Sequence, residues 1–312
     1  MKPLLVILGP TASGKTRLAT QVCSQIGGEV ISADSRQIYR GMDIGTGKDL
    51  HEYVVQGQQI PYHLINIRDA GSQYNVNEFQ KDFALVYDSI RHSDSVPVVC
   101  GGSGFYIYAL LKGHAFASIP VDENLRNSLE VLTRQQLSVR FSNLMSDYHP
   151  LADTSTRKRL IRAIEISEYL LAHPDKELLA GPAGYEAVIY GMNRSVEIRR
   201  DRISARLKNR LENGLIEEVQ DLLRSGLTAE QLIYYGLEYK FVTLYLQGEM
   251  AYEEMHKRLE TEIHRFAKRQ MTFFRKMEKD GLVINWLDGQ LEVEQQAEIV
   301  VEGYKKQINF IH

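Results

Sequence analysis

The segment that most constrains this chain is Gly9-Pro10-Thr11-Ala12-Ser13-Gly14-Lys15-Thr16. It follows an apolar run, Leu4 to Leu8, that reads as a buried strand, and it precedes Thr16 to Gln25, whose apolar residues recur at helical spacing. Strand, glycine-rich loop and helix in that order are the setting that the eight-position phosphate-loop pattern requires. Its glycines let backbone N–H groups converge on phosphate oxygens, Lys15 adds a point charge, and the Thr16 hydroxyl can hold a divalent metal ion. The helix that follows points its positive end at the same ligand. A glycine turn that merely precedes a helix is the plainer alternative. The loop alone does not say whether the phosphates belong to a nucleotide such as ATP.

The first hundred residues extend this arrangement. Glu29 to Ser32, His63 to Ile67 and Val96 to Cys100 read as further strands, and their alternation with helical stretches predicts a parallel sheet. Between Lys112 and Tyr185 strand-like runs vanish, and Asp122 to Gln136, Leu137 to Met145 and Thr156 to Ala172 read as helices. The edges of this block fall at Lys112-Gly113 and in the Pro- and Gly-punctuated stretch His173 to Gly184. Ala187 to Met192 returns to the strand pattern, followed by helices over Ser195 to Asn213, Leu215 to Arg224 and about Tyr252 to Asp280. The expected fold class is α/β: a P-loop NTPase-like parallel sheet flanked by helices, with an inserted small all-helical domain. The expected boundaries are 1–113 for the first part of the core, 114–184 for the insertion and 185–312 for the return strand and C-terminal helices.

Two features narrow the chemistry. Phosphate-loop ATPases and GTPases usually place a metal-holding Asp at the end of a buried strand. Here Val96 to Cys100 runs straight into Gly101-Gly102-Ser103-Gly104, so a motor or switch ATPase is disfavoured and small-molecule transfer enzymes remain. The second feature is Ser32-Ala33-Asp34-Ser35-Arg36-Gln37, directly after the second strand. In doubly wound sheets ligands gather outside the carboxyl ends of the strands, so Asp34 should face the phosphate loop across the cleft. A carboxylate there could hold a metal ion, take a proton or cap the next helix.

Beyond the loop, several motifs in order resemble the tRNA dimethylallyltransferase, or tRNA isopentenyltransferase, family. They are Gly9 to Thr16, Ser32 to Tyr39, Gly41-Met42-Asp43-Ile44-Gly45-Thr46-Gly47-Lys48, Gly101 to Tyr106, Arg159 to Glu165, Asn213 to Val219 and Lys268 to Arg275. Gly41 to Lys48 has no general physical meaning derivable from the sequence and serves as a family marker. The resemblance implies transfer of a dimethylallyl group from dimethylallyl diphosphate to the exocyclic N6 of an adenosine beside the anticodon of tRNA, with magnesium. The residues suit that reaction. Lys15, the loop amides and a Thr16-bound magnesium would stabilise charge growing on the diphosphate leaving group. Asp34 would take the proton as N6 becomes cationic during attack. The adenine must leave its stack to reach such a cleft.

Compared residue by residue, Gly9, Pro10, Thr11, Ala12, Ser13, Gly14, Lys15 and Thr16 match the family's diphosphate loop, with Thr11 to Thr16 as its contacting part. Thr11, Lys15, Asp34 and Arg206 are implied catalytic residues, Arg206 supporting the diphosphate; an isolated helix Arg is otherwise solvated surface. Asp34, Ser35, Arg36 and Gln37 are implied to contact the target nucleotide. Ser103, Arg126 and the stretch Lys158, Arg159, Leu160, Ile161 and Arg162 are implied tRNA contacts. Two places depart from the family's pattern: His149 to Thr156, before the arginine helix, and Tyr235-Gly236-Leu237-Glu238-Tyr239-Lys240, where the family carries Gly-Tyr-Lys or Gly-Tyr-Arg. No role is transferred to Ile233 through Glu238.

Composition enters as a test of the RNA partner. The chain has 312 residues, 37 basic against 40 acidic, and a net charge of −3. That balance argues only against indiscriminate, charge-driven RNA binding. Locally the charge is segregated: Arg194 to Arg210 holds seven basic and two acidic residues, and His256 to Lys279 holds eight and three. Arg258, Arg265, Arg269 and Lys276 form one narrow helical stripe that could track a phosphate backbone or simply be a solvated face. Leu259, Ile263, Phe266, Phe273 and Met277 should face the core, with packing the better reading of Phe273 and Phe274 than base stacking. Cys23 and Cys100 have no partner at metal-ligand spacing and read as small buried residues of a reducing cytosol. No apolar run reaches the roughly 18 residues of a bilayer span. A cytoplasmic location with no membrane association is therefore expected; a monomer is the expected state, though the sequence does not itself decide self-association. The rival readings are a nucleotide-kinase-like phosphotransferase and a non-catalytic RNA-binding paralogue.

Overall fold

The computed structural model describes residues 3–113, 116, 119–146, 148–149, 152–174 and 184–311. Pro150 and Leu151 of the departing segment, and 175–183 of the punctuated stretch, lie outside the described residues. The chain divides into two compact units, 1–111 with 185–312, and 112–184.

The first unit is built on a six-stranded sheet in the order β5-β2-β6-β1-β7-β8. Its strands are β1 (Leu4–Leu8), β2 (Gly28–Ser32), β5 (Tyr62–His63), β6 (Val96–Gly101), β7 (Ala187–Asn193) and β8 (Ile284–Asp288), all paired in parallel. A two-residue hairpin, β3 (Val54–Val55) and β4 (Gln58–Gln59), stands apart. β1 lies between β6 and β7, buried on both faces, which is why it reads as an uninterrupted apolar run. Its side chains alternate between two cores. Leu5 and Ile7 pack with Leu18 and Val22 of α1 (Lys15–Ile26) and with Val300 and Tyr304 of α12 (Val293–Ile311). Leu4, Val6 and Leu8 join the larger core built on the other helices of this unit. These are α2 (Val76–His92), α3 (Gly104–Lys112), α7 (Val196–Glu212), α8 (Leu215–Arg224), α9 (Ala229–Tyr234), α10 (Leu237–Leu246) and α11 (Tyr252–Lys279).

The strand expected over His63 to Ile67 ends at His63, because Leu64 (φ 60°) and Asn66 (φ 57°) take left-handed conformations that a strand does not accommodate. β8 went unread, being a short edge strand whose first neighbour, Val283, is exposed.

The second unit holds α4 (Glu123–Glu130), α5 (Arg134–Ser142) and α6 (Arg157–Ala172) around Leu129, Leu137, Phe141, Leu160 and Ile164. The single helix expected over Asp122 to Gln136 is broken. Thr133 and Gln136 form a capping box in which each side chain bonds the other's backbone N–H, starting a new helix where apolar spacing alone ran on.

Candidate active site

The phosphate loop leaves β1 at its buried carboxyl end and turns tightly into α1. Gly14, at φ 91°, caps that helix in a conformation that L side chains rarely adopt, and Ala12 is held at φ 60°, a position that costs a non-glycine residue about 1–3 kcal/mol. Arg194 pins the loop from outside by donating to the Ser13 carbonyl at 3.1 Å and to the Gly289 carbonyl at 2.7 Å. Gln270 of α11 pins it from the other side. Its Oε1 accepts from the Thr11 amide at 2.9 Å and its Nε2 donates to the Gly102 carbonyl at 2.8 Å, so one buried side chain joins the phosphate loop to the loop after β6. The sequence gives Gln270 no role, since nothing in its spacing reveals a partner about 260 residues away.

A cavity of about 650 Å³ opens over these loops. Thr11 through Thr16, Asp34 through Gln37, Ser103 and Arg206 all line it, whereas Gly9 and Pro10 do not. Asp34 Oδ1 accepts from the Arg36 amide at 2.9 Å, so the carboxylate caps a turn rather than a helix. The Ser35 amide donates to Ser103 Oγ at 3.2 Å, tying the second-strand loop to the loop after β6. Gln37 is held at both ends: its Oε1 accepts from Ser32 Oγ at 3.0 Å and its Nε2 donates to the Gly47 carbonyl at 3.1 Å.

The Gly41 to Lys48 segment is fastened by Glu218 and by its own Lys48. Glu218 of α8 accepts from the amides of Asp43, Ile44 and Gly45 at 2.7, 2.7 and 3.0 Å, and from the Tyr239 hydroxyl at 2.7 Å. Such a run of converging amides is an anion nest, filled here by the protein's own carboxylate. Lys48, only 1% exposed, donates to the Tyr39 carbonyl, Asp43 Oδ1 and Asn66 Oδ1. The loop so fastened presents Gly45, Thr46 and Gly47 to the cavity. Gly47 takes a left-handed φ of 64° that strains an L side chain, and a Cβ there would crowd the guanidinium ends of Arg210 and Arg206, at 1.7 and 2.4 Å.

Charge in the cavity is mixed. Burial lowers the Lys15 ammonium from its usual range; Cys100, Asp34 and Glu52 pull it back up, and Arg206 adds to the lowering. Burial raises the Glu52 carboxyl, and the neighbouring Asp49 raises it further. Cys100, at the end of β6 where a carboxylate is missing, hydrogen-bonds with Thr16; burial pushes its thiol up to about 12, so it is no thiolate ligand. Among the described residues no group of three or more His, Cys, Asp or Glu could hold a metal ion. Thr16 lines the cavity, so a divalent ion would fit beside it if its hydroxyl, phosphate and water oxygens supplied the ligands, as magnesium commonly accepts.

The apolar side of the cavity includes Ile263, Phe266 and Phe273 of α11. For Phe266 this corrects the helical-wheel expectation, since it is 40% exposed; Leu259, Phe274 and Met277 are fully in the core, and Phe273, partly buried, packs against it. Tyr235 through Tyr239, which received no role from the sequence, also line the cavity. The basic stripe is exposed, with Arg258 paired to Glu254 and Arg265 to Glu262.

The remaining residues singled out in the sequence lie in the second unit. Arg126 makes a two-bonded pair with Glu165 at 2.9 and 3.0 Å, and Arg162 reaches the same carboxylate at 3.1 Å as well as the Ile119 carbonyl. Arg159 pairs with Asp153 at 2.7 Å. Leu160 and Ile161 are core residues, which leaves Lys158 and Arg159 as the exposed side chains of the stretch.

Sheet, loop and cavity together define a phosphate-loop α/β protein whose site combines a polyphosphate cradle, a carboxylate and an apolar wall, the outfit of a group-transfer enzyme. Residues 37–277 match the family described as IPP transferase. The chain is 50% identical to tRNA dimethylallyltransferase 2 of Phocaeicola vulgatus over 96% of each chain, and 47% identical to tRNA dimethylallyltransferase 2 of Bacteroides fragilis over 97% of this chain and 98% of the other. It also matches the crystal structure of the full-length tRNA isopentenylpyrophosphate transferase of Bacillus halodurans, with a TM-score of 0.72, 29% identity and full coverage of both chains. The chain belongs to the IPP transferase family. The family match begins at Gln37, so the phosphate loop and Asp34 lie outside that matched stretch.

Proposed function

We propose that this chain is a tRNA dimethylallyltransferase that moves the dimethylallyl group of dimethylallyl diphosphate onto N6 of adenosine-37 beside the anticodon. The products are N6-(dimethylallyl)adenosine and diphosphate. The observation that carries this reading is the shared cavity, in which the phosphate loop, Asp34 and the apolar face of Ile263, Phe266 and Phe273 meet. The bond between C1 of the dimethylallyl group and its bridging oxygen breaks, and a bond from C1 to N6 forms. N6 becomes cationic as it attacks, and its proton passes to Asp34, which need not deprotonate the neutral amine beforehand. Charge left on the diphosphate is met by Lys15, Arg206 and the amides of Thr11 to Thr16 that remain free to donate. Held by the Thr16 hydroxyl and diphosphate oxygens, magnesium would add positive charge beside the leaving group.

Asp34, Ser35, Arg36, Gln37 and Ser103 are assigned to the extruded adenosine and its neighbours, and Arg126 with the Lys158 to Arg162 stretch of the insertion domain to the tRNA beyond. The protein is taken to act as a cytoplasmic monomer; no helix among its described residues is long and apolar enough to cross a membrane. The test mixes protein, magnesium, labelled dimethylallyl diphosphate and tRNA, and follows label into RNA. Label in adenosine is the expected result. Folded protein that transfers no label to tRNA from several sources ends this reading, and phosphate transfer from labelled ATP in its place would point to the phosphotransferase alternative.

A further inference from the structure

Arg202, Arg206 and Arg210 follow one another at single-turn spacing on α7, and all three line the cavity. Arg206 was implied by resemblance to support the diphosphate. Arg210 was not, and its surroundings set it apart. It is 8% exposed, and its ion-pair partner is Glu238 Oε1, 3.6 Å from Nη1, too long for a strong hydrogen bond. Its Nη2 is buried and has no hydrogen-bond partner. A charged donor left unmatched in the interior is costly, and such groups in native structures call for a specific explanation. Burial, helped by Arg206, lowers this guanidinium to about 10, so it stays charged at neutral pH.

The space around the guanidinium indicates what its missing partner is. A second, smaller void of about 10 Å³ lies among Thr11, Ala12, Arg206, Arg210 and Glu238, with Ile203, Leu207 and Ile263 closing its apolar side. That is room for about one water molecule or one oxygen atom. Its lining joins the outer end of the phosphate loop to two guanidinia, and Gly47 lies close beneath both of them. An anion reaching from the loop would separate two like charges that otherwise repel. We infer that Arg210 is a diphosphate-binding residue, its guanidinium donating to a phosphate oxygen beside Thr11, while Glu238 holds the guanidinium in orientation. This rests on the transferase reading above, which supplies the diphosphate. The carboxylate of Glu238 serves that orientation without occupying the free donor, because it pairs with the other terminal nitrogen.

The experiment titrates inorganic diphosphate, in the presence of magnesium, into full-length wild type and Arg210→Gln, with tRNA binding measured alongside. The expected result is a loss of at least about tenfold in diphosphate affinity with tRNA affinity within about twofold, as for a lost charged hydrogen bond. Diphosphate affinity within about twofold of wild type in the folded variant overturns the inference, as does a loss confined to tRNA. Wild type that binds no diphosphate overturns the transferase reading instead, so the two failures are distinct. Should the variant not fold, arginine side-chain NMR on wild type decides. The Arg210 resonance, assigned by its disappearance in Arg210→Lys, shifts on addition of diphosphate if the contact exists and stays in place at saturation if it does not.

Discussion

Single side chains carry most of the chemistry proposed for this protein. Asp34 caps a turn with its carboxylate and lines the same cavity as the phosphate loop, so its proposed role as base would use a different property from its role in folding. Asp34→Asn keeps the shape and can still accept from the Arg36 amide. It is expected to bind tRNA normally while single-turnover transfer falls by about 100-fold or more, the scale of a lost general base. Lys15 makes a prediction with a sign. Burial lowers its ammonium, so in the free protein it begins to lose its proton at a lower pH than an ordinary lysine; a bound dianion favours the charged form and raises it again. Diphosphate binding should therefore take up protons on the alkaline side of neutrality, and affinity should fall as pH rises. Calorimetry in buffers of different ionisation enthalpy measures this directly, and proton release on binding would contradict it.

At the scale of elements, the cavity depends on loops held by carboxylates and amides from distant helices. Glu218 satisfies three consecutive amides of the Gly41 to Lys48 loop and the Tyr239 hydroxyl at once. Glu218→Ala leaves those donors to water and is expected to cost about 2 kcal/mol in urea denaturation. It should also raise the KM for the prenyl donor, because the loop carrying Gly47 loses its anchor. Gly47→Ala tests the same loop locally: with its Cβ driven into both guanidinia, diphosphate affinity should fall about tenfold with tRNA affinity retained, as expected when a charged contact is displaced. Much of this was out of reach of the sequence. Gly41 to Lys48 could be read only as a family marker, because its meaning resides in Glu218, about 175 residues further on. Gln270 was equally silent. The phosphate loop was legible because its whole mechanism is contained in eight consecutive residues between a strand and a helix.

For the molecule as a whole, the division into two units makes the insertion separable. Residues 112–184 have their own core, and the core unit's chain ends at the junction lie side by side, with the Tyr185 amide donating to the Leu110 carbonyl at 3.1 Å. Replacing 112–184 by a short glycine linker should therefore leave the sheet folded and inorganic diphosphate bound, since closing so short a gap adds little entropy cost. The same protein should lose tRNA affinity if the insertion carries the tRNA contacts assigned to it. Unchanged tRNA binding by the excised protein, measured across salt concentrations, would remove Arg126 and the Lys158 to Arg162 stretch from the proposed interface.

By itself the sequence determined what depends on neighbours along the chain: the alternation of apolar runs and helices that specifies a parallel α/β sheet, the phosphate loop, and the extents of α1, α6, α7, α8 and α11. It also held the motifs that mark the family. Its errors came where local geometry overrides apolar spacing, at the left-handed Leu64 and Asn66 and at the capping box that splits α4 from α5. The tertiary structure decided which side chains meet. Phe266 faces a cavity rather than the core because α11 passes over the loops, and Arg210 is buried with one terminal nitrogen near Glu238 and the other without a hydrogen-bond partner. Spacing along a helix specifies a face, but the partner of that face is set by chain folding over hundreds of residues, and charge pairing and burial follow from the partner.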